Sequence, residues 1–163
     1  MKKNSIVYNL APQLKTYHAL GEIWKPFIMY STRPNFRSKV VNSDQFGLRF
    51  NDLDHRDSLE MDKNNSIFNK KIFPEKKETA VFVGSSSAFG IGASSDATTI
   101  PSLLSKKTNM HFFNLGCPAF SGFQEIILFQ SLANYLSKIN KIVIFSGIND
   151  IFLTNYISTY DPI

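Results

Sequence analysis

The chain has 163 residues, 43% of them hydrophobic and 19% charged, which fits one ordinary globular domain and excludes wholesale disorder. Its formal net charge of +5 is spread over scattered lysine pairs, and no basic block is interleaved with aromatic residues. We therefore predict no nucleic-acid partner. The single cysteine excludes an intramolecular disulfide and any multi-cysteine metal site.

The N-terminus does not have the pattern of a targeting segment. Met1-Lys2-Lys3 resembles the start of a signal peptide. The apolar run that follows, however, is too short and too interrupted for the apolar core of such a peptide. No stretch approaches the roughly 20 apolar residues that a membrane span needs. The expectation is a cytoplasmic protein without a membrane span.

The chain divides near residue 78. Residues 1–78 contain scattered prolines and asparagines, and they predict an irregular lead-in. Within it we expect a short helix at 12–23, a short strand at 38–43, a turn at 42–47 and a loop at 52–69. Residues 79–163 form the second region, in which apolar segments alternate with small polar loops.

The second region predicts three strands and two helices. Apolar runs at 79–83, 110–115 and 141–145 predict strands, and residues 99–108 and 123–139 predict helices. Thr99 is the expected N-cap of the first helix, and Pro101 fits its first turn. The order β-α-β-α-β predicts a parallel sheet with helices on its faces, and functional groups at the carboxyl ends of its strands.

A loop of small polar residues follows each strand. Gly84–Gly90 contains three serines, and a serine on the turn leaving a buried strand suits a nucleophile beside backbone N–H donors. The alternative is a phosphate-binding or structural loop, although the P-loop lysine and the Rossmann glycine spacing are missing. Cys117, in the second loop, is a nucleophile or a small buried hydrophobe. Asn149, in the third, is an oxyanion donor or a helix cap.

Taken together, the three loops resemble the motifs of the SGNH (GDSL-type) hydrolases and esterases across residues 79–154. The resemblance makes Ser86 the nucleophile and its N–H one oxyanion donor, with Ser85 in place of the usual aspartate or glycine. It makes the Ala119 N–H the second donor, where the family has glycine, with Gly116 and Gly122 as alternative registers. Gly147-Ile148-Asn149-Asp150 matches the third motif in full and makes the Asn149 side chain the third donor.

The resemblance implies a fold and a reaction. The fold is a three-layer α/β/α arrangement with a flavodoxin-like parallel sheet, here apparently truncated after its third strand. The reaction is hydrolysis of a small-molecule or carbohydrate ester, such as an O-acetylated sugar, through an acyl-serine intermediate. It implies no cofactor and no metal. Residues 24–49 are also similar to the segment that precedes the catalytic domain in some bacterial members.

The family's Asp-x-x-His motif, which supplies the general base, has no counterpart after Asn149. The chain's histidines are His18 on the lead-in helix, His55 between carboxylates in a loop, and His111 at the start of the second strand. Because serine needs a base, we expect this chain alone to be inactive or very weakly active. The alternatives are a non-catalytic SGNH-like binding protein, an inactive fragment, or a phosphate- or nucleotide-binding module. The three-stranded sheet predicts an exposed apolar edge, to be covered by a partner or by a missing C-terminal segment.

Overall fold

The computed structural model describes residues 3–51, 66–68, 78–136 and 138–158. It is a mixed α/β structure. The lead-in contains α1 (Lys3–Leu10), α2 (Leu14–Leu20), β1 (Glu22–Lys25) and β2 (Met29–Thr32). The second region contains β3 (Glu78–Gly84), α3 (Ser86–Phe89), α4 (Ile100–Lys107), β4 (Met110–Gly116), α5 (Gly122–Ser131), β5 (Lys141–Phe145) and α6 (Ile148–Ser158).

The predicted parallel sheet is confirmed. β3 lies in the centre, with β4 on one side and β5 on the other, and both pairings are parallel. Gly84 pairs with Gly116 of β4 and with Phe145 of β5. Since these three residues end their strands at one level, the loops that follow all leave the same edge of the sheet.

Local signals explain why the elements begin where they do. Residues 80–84 of β3 are buried, as the continuous apolar run predicted. The Thr99 side chain accepts a hydrogen bond from the Ser102 N–H and caps α4, whose first turn holds Pro101. Both predictions are confirmed.

The lead-in has more regular structure than predicted. β1 and β2 form an antiparallel hairpin. The predicted helix at 12–23 is shorter, because Gly21 adopts φ +67° directly after α2 and β1 begins at Glu22. The strand predicted at 38–43 is wrong, since only an isolated bridge between Ser43 and Arg49 forms. That bridge closes the predicted turn at 42–47, while most of the loop predicted at 52–69 lies outside the described residues.

The helix predicted at 123–139 is too long. α5 ends at Ser131, and a single 3₁₀ turn, Ala133–Tyr135, follows it. The Ser131 hydroxyl donates to the Leu128 carbonyl at 2.7 Å, a side-chain bond to the preceding turn that competes with continued helix. The spacing of hydrophobic residues contains no information about this side-chain hydrogen bond, so it predicted a longer helix.

One hydrophobic cluster joins the two regions. Ile28, Leu48 and Phe50 of the lead-in pack with residues of β3, β4 and α5. The lead-in therefore completes the core on that side of the sheet. In the part of the chain that the structure describes, none of the helices has the length and apolar character needed to cross a bilayer.

Candidate functional site

Two glycines allow the strand ends to approach closely. A Cβ at Gly84 would collide with the Phe145 carbonyl oxygen at the end of β5. A Cβ at Gly116 would collide with the Phe89 nitrogen, in the turn that contains Ser86. The Gly84 carbonyl also accepts a hydrogen bond from the Cys117 N–H at 3.1 Å. The three loops thus meet through backbone contacts that larger residues would prevent.

Ser86 is the first residue of α3, a single turn that follows β3. Its side chain is half-buried, whereas the neighbouring Ser85 is buried and Ser87 is exposed. The first N–H groups of a helix have no carbonyl of their own helix to bind. Among the described residues, the Ser86 N–H and its hydroxyl have no hydrogen-bond partner. In the described part of the chain, neither group is therefore held by a hydrogen bond.

Ala119 adopts φ +60°, the left-handed conformation that favours glycine. For an alanine this conformation costs about 1–2 kcal/mol. The cost is offset by neighbours, since the Tyr30 hydroxyl donates to the Ala119 carbonyl at 2.7 Å and Phe120 is fully buried. The alanine therefore adopts a backbone angle that is far commoner for glycine.

The third loop is fastened to the second by two side chains. Asn149 Nδ2 donates to the Phe120 carbonyl at 2.8 Å. Both carboxylate oxygens of Asp150 accept from the Gly122 N–H at 3.0 Å. Asn149 is the second residue of α6, so it does not act as the helix N-cap. Because an amide has two N–H groups, one of them has no partner among the described residues.

The histidines lie in different places. His111 is near the start of β4, paired with Thr79, at the end of the sheet opposite the loops. His18 lines a cavity of about 350 Å³ whose wall also includes Glu22, Ile91 and Pro118. That cavity borders the loops that follow β3 and β4. His55 lies outside the described residues.

Cys117 has the character of a core residue. It is buried in the main hydrophobic cluster, and burial raises the pKa of its thiol to about 12. A neutral thiol is a weak nucleophile. The structure therefore favours the buried-hydrophobe alternative for this cysteine.

Glu125 is a buried carboxyl that the sequence analysis missed. It lies on α5 and is 3% exposed. Burial raises its pKa, the Ser146 hydroxyl opposes that shift by hydrogen bonding, and the Asp150 carboxylate adds to it. Oε1 has no hydrogen-bond partner within the described residues. In the sequence, the only indication of this buried carboxyl was a charged residue beside the apolar pair 126–127.

A buried ion pair was also missed. Arg49 Nε donates to Asp96 Oδ1 at 2.8 Å, and both side chains are inaccessible to solvent. Asn42 Nδ2 donates to the other oxygen at 2.6 Å. The signal for Arg49 was its position between the apolar residues Leu48 and Phe50. Nothing in the sequence indicated its partner, 47 positions away.

Metal-ligating residues do not converge at these loops. In the ranges 3–51, 66–68, 78–136 and 138–158, no group of three or more His, Cys, Asp or Glu side chains is arranged to hold a metal ion.

The chain matches no protein-family model, and a search of curated proteins gave no match either.

Proposed function

We propose that the protein is an SGNH-type ester hydrolase whose nucleophile is Ser86, on a flavodoxin-like three-layer fold. The three loops at one edge of the sheet support the proposal. Its main support is the fastening of Asn149 and Asp150 to the second loop, at the Phe120 carbonyl and the Gly122 N–H, since these bonds join the loops of the second and third motifs.

The proposed reaction has two steps. Ser86 Oγ attacks the ester carbonyl and passes its proton to a base. Collapse of the tetrahedral species breaks the bond to the alcohol oxygen, which takes that proton from the base and leaves as the alcohol, so that an acyl-serine remains. Water then attacks the acyl-serine, releasing the carboxylic acid and restoring the hydroxyl. In both steps the oxyanion accepts hydrogen bonds from the Ser86 N–H, the Ala119 N–H and Asn149 Nδ2.

The backbone angle of Ala119 is a second support. An oxyanion donor must be in place before charge develops, because reorganisation during the reaction costs energy. Ala119 has φ +60°, and the Tyr30 hydroxyl binds the carbonyl of the peptide that follows, directly beside the peptide that carries the Ala119 N–H. A strained residue that its neighbours hold in place is typical of functional sites.

Ser86 needs a proton acceptor beside its hydroxyl in order to react. His111 lies at the wrong end of the sheet. A non-catalytic binding protein on the same scaffold is therefore the second candidate, since a serine without a base is a poor nucleophile. An ester substrate would then bind and remain intact.

Adjacent serines give a matched test of the proposal. Ser86→Ala and Ser87→Ala each remove one hydroxyl from α3, and we measure turnover of an activated acetyl ester by both variants and the parent. We expect the parent to turn the ester over slowly, Ser86→Ala to abolish this turnover and Ser87→Ala to retain it. Equal turnover by Ser86→Ala and the parent would reject the proposal, and binding without turnover by the parent would favour the second candidate.

A further inference from the structure

The turn that contains Ser86 cannot hold its own position. α3 has four residues, and helices this short are unstable without tertiary contacts. The Ser86 carbonyl accepts from the Gly90 and Ile91 N–H groups, both at 3.0 Å. The place of the serine is therefore fixed by whatever holds the end of this turn.

Arg49 of the lead-in holds that end. Its Nη1 donates to the Gly90 carbonyl at 2.8 Å and to the Phe89 carbonyl at 3.2 Å. These are terminal carbonyls that a helix leaves without partners. On its other side Nη2 donates to the Val40 carbonyl at 2.8 Å, and Nε pairs with Asp96. The guanidinium is thus a rigid link between the lead-in and the serine turn.

Tyr17 reinforces the same link from α2. Its hydroxyl accepts from Arg49 Nη1 at 2.9 Å and lies 2.8 Å from the Gly90 carbonyl and 2.7 Å from the Ala93 carbonyl. The Tyr17 ring also faces the guanidinium, 5.5 Å from its central carbon. Two lead-in side chains therefore converge on Gly90, whose N–H binds the Ser86 carbonyl.

We propose that Arg49 is a positioning residue for Ser86, acting through Gly90 rather than through contact with substrate. This inference rests on the proposed function, because positioning matters only if Ser86 reacts. A nucleophile displaced by about 1 Å loses rate by roughly 100-fold while binding is little changed. Lysine keeps the charge of Arg49 but lacks the planar fork that reaches several carbonyls.

The test compares Arg49→Lys with Leu48→Ala. Leu48 is a buried neighbour whose side chain packs in the hydrophobic core, so its truncation lowers stability by core loss alone. Tyr17→Phe is a milder variant that removes only the hydroxyl, in case Arg49→Lys does not fold. For each variant we measure kcat and KM for an acetyl ester and hydrogen exchange at the Gly90 and Ile91 amides.

We expect Arg49→Lys and Tyr17→Phe to exchange faster at these two amides and to lose kcat, by about 10- to 100-fold for the lysine variant, with KM nearly constant. Leu48→Ala should melt at a lower temperature and keep its kcat while folded. Retention of kcat by Arg49→Lys and Tyr17→Phe would overturn the inference. If Ser86→Ala turns over ester like the parent, the proposed function fails instead, and the exchange rates alone then support or overturn the link through Arg49.

Discussion

The two outer strands of the sheet have opposite surroundings. Residues of β4 are almost all buried, and the lead-in packs against this strand: the tilted rings of Phe68 and Phe113 have centroids 4.9 Å apart, and Asn51 Nδ2 donates to the Phe112 carbonyl. On β5, by contrast, Ile142 is 53% and Ile144 is 72% exposed. Strands of a parallel sheet are normally covered on both faces. The exposed apolar edge expected from the sequence is therefore confirmed at β5.

This difference separates the candidate site into two parts. The loops with Ser86 and Ala119 are held by lead-in side chains, among them Arg49 and Tyr30. The loop with Asn149 follows the exposed strand, and its described links to the second loop are those of Asn149 and Asp150. Asn149, one of the proposed oxyanion donors, is therefore held by a few polar contacts, whereas the proposed donors Ser86 and Ala119 lie in loops that are held against a packed core.

The largest expected effect is a difference in stability between a variant on β4 and a variant on β5. Phe113→Ala on β4 removes a side chain that is 6% exposed, so it should lower the free energy of unfolding by about 3–5 kcal/mol. Ile144→Ala on β5 removes one that is largely in solvent and should cost less than about 1 kcal/mol. Urea unfolding of both variants measures the difference. Equal losses would show that β5 is covered in solution.

Asn149→Ala probes the loop beside the exposed strand. It removes the amide donor and the hydrogen bond to the Phe120 carbonyl, so kcat should fall by about 100- to 1,000-fold. Asn134→Ala, at an exposed asparagine in the 3₁₀ turn, is the matched control and should leave kcat unchanged. A small loss in Asn149→Ala would remove this residue from the proposed oxyanion site.

Asp44, in the lead-in, should make the stability of the fold depend on pH. Burial raises the pKa of Asp44 to about 6 from the ordinary 3.8, although three backbone N–H groups oppose the shift. Since the folded protein holds this proton more tightly, Asp44 stabilises the fold below pH 3.8, and that stability is lost as pH rises through 6. The loss is about 3 kcal/mol at 1.36 kcal/mol per pKa unit.

Urea unfolding at a series of pH values from 4 to 7 measures this effect. Asp44→Asn is the comparison, because the amide does not titrate in this range. We expect stability to fall with pH more steeply in the parent than in Asp44→Asn. Parallel profiles would contradict the assigned pKa.

We expect the smallest change in stability and activity from Ala119→Gly. Glycine relieves the left-handed strain of about 1–2 kcal/mol but adds entropy to the unfolded chain, so stability should change by less than about 1 kcal/mol. Because glycine keeps the N–H, kcat should be retained. A large loss of kcat would mean that the methyl group, rather than the peptide orientation, matters at this position.

Patterns among neighbouring residues predicted the sheet and its loops, but they did not predict contacts between residues far apart in the sequence. The run at 79–83 and the cap at Thr99 depend on neighbouring residues, and both were predicted correctly. The pairing of Arg49 with Asp96 is set by the fold, so spacing along the chain does not reveal it. The same limit explains β5: its composition resembles a buried strand, but burial depends on which elements surround it.

The most direct test is to identify the acylated residue. The full chain is incubated with an activated acetyl ester, quenched in acid, digested and mapped by mass spectrometry, with Ser86→Ala treated in parallel. We expect an acetyl group on Ser86 in the parent and none in the peptide from the variant. Acetylation confined to other residues, or equal labelling of this peptide in the variant, would contradict a serine nucleophile at the end of β3.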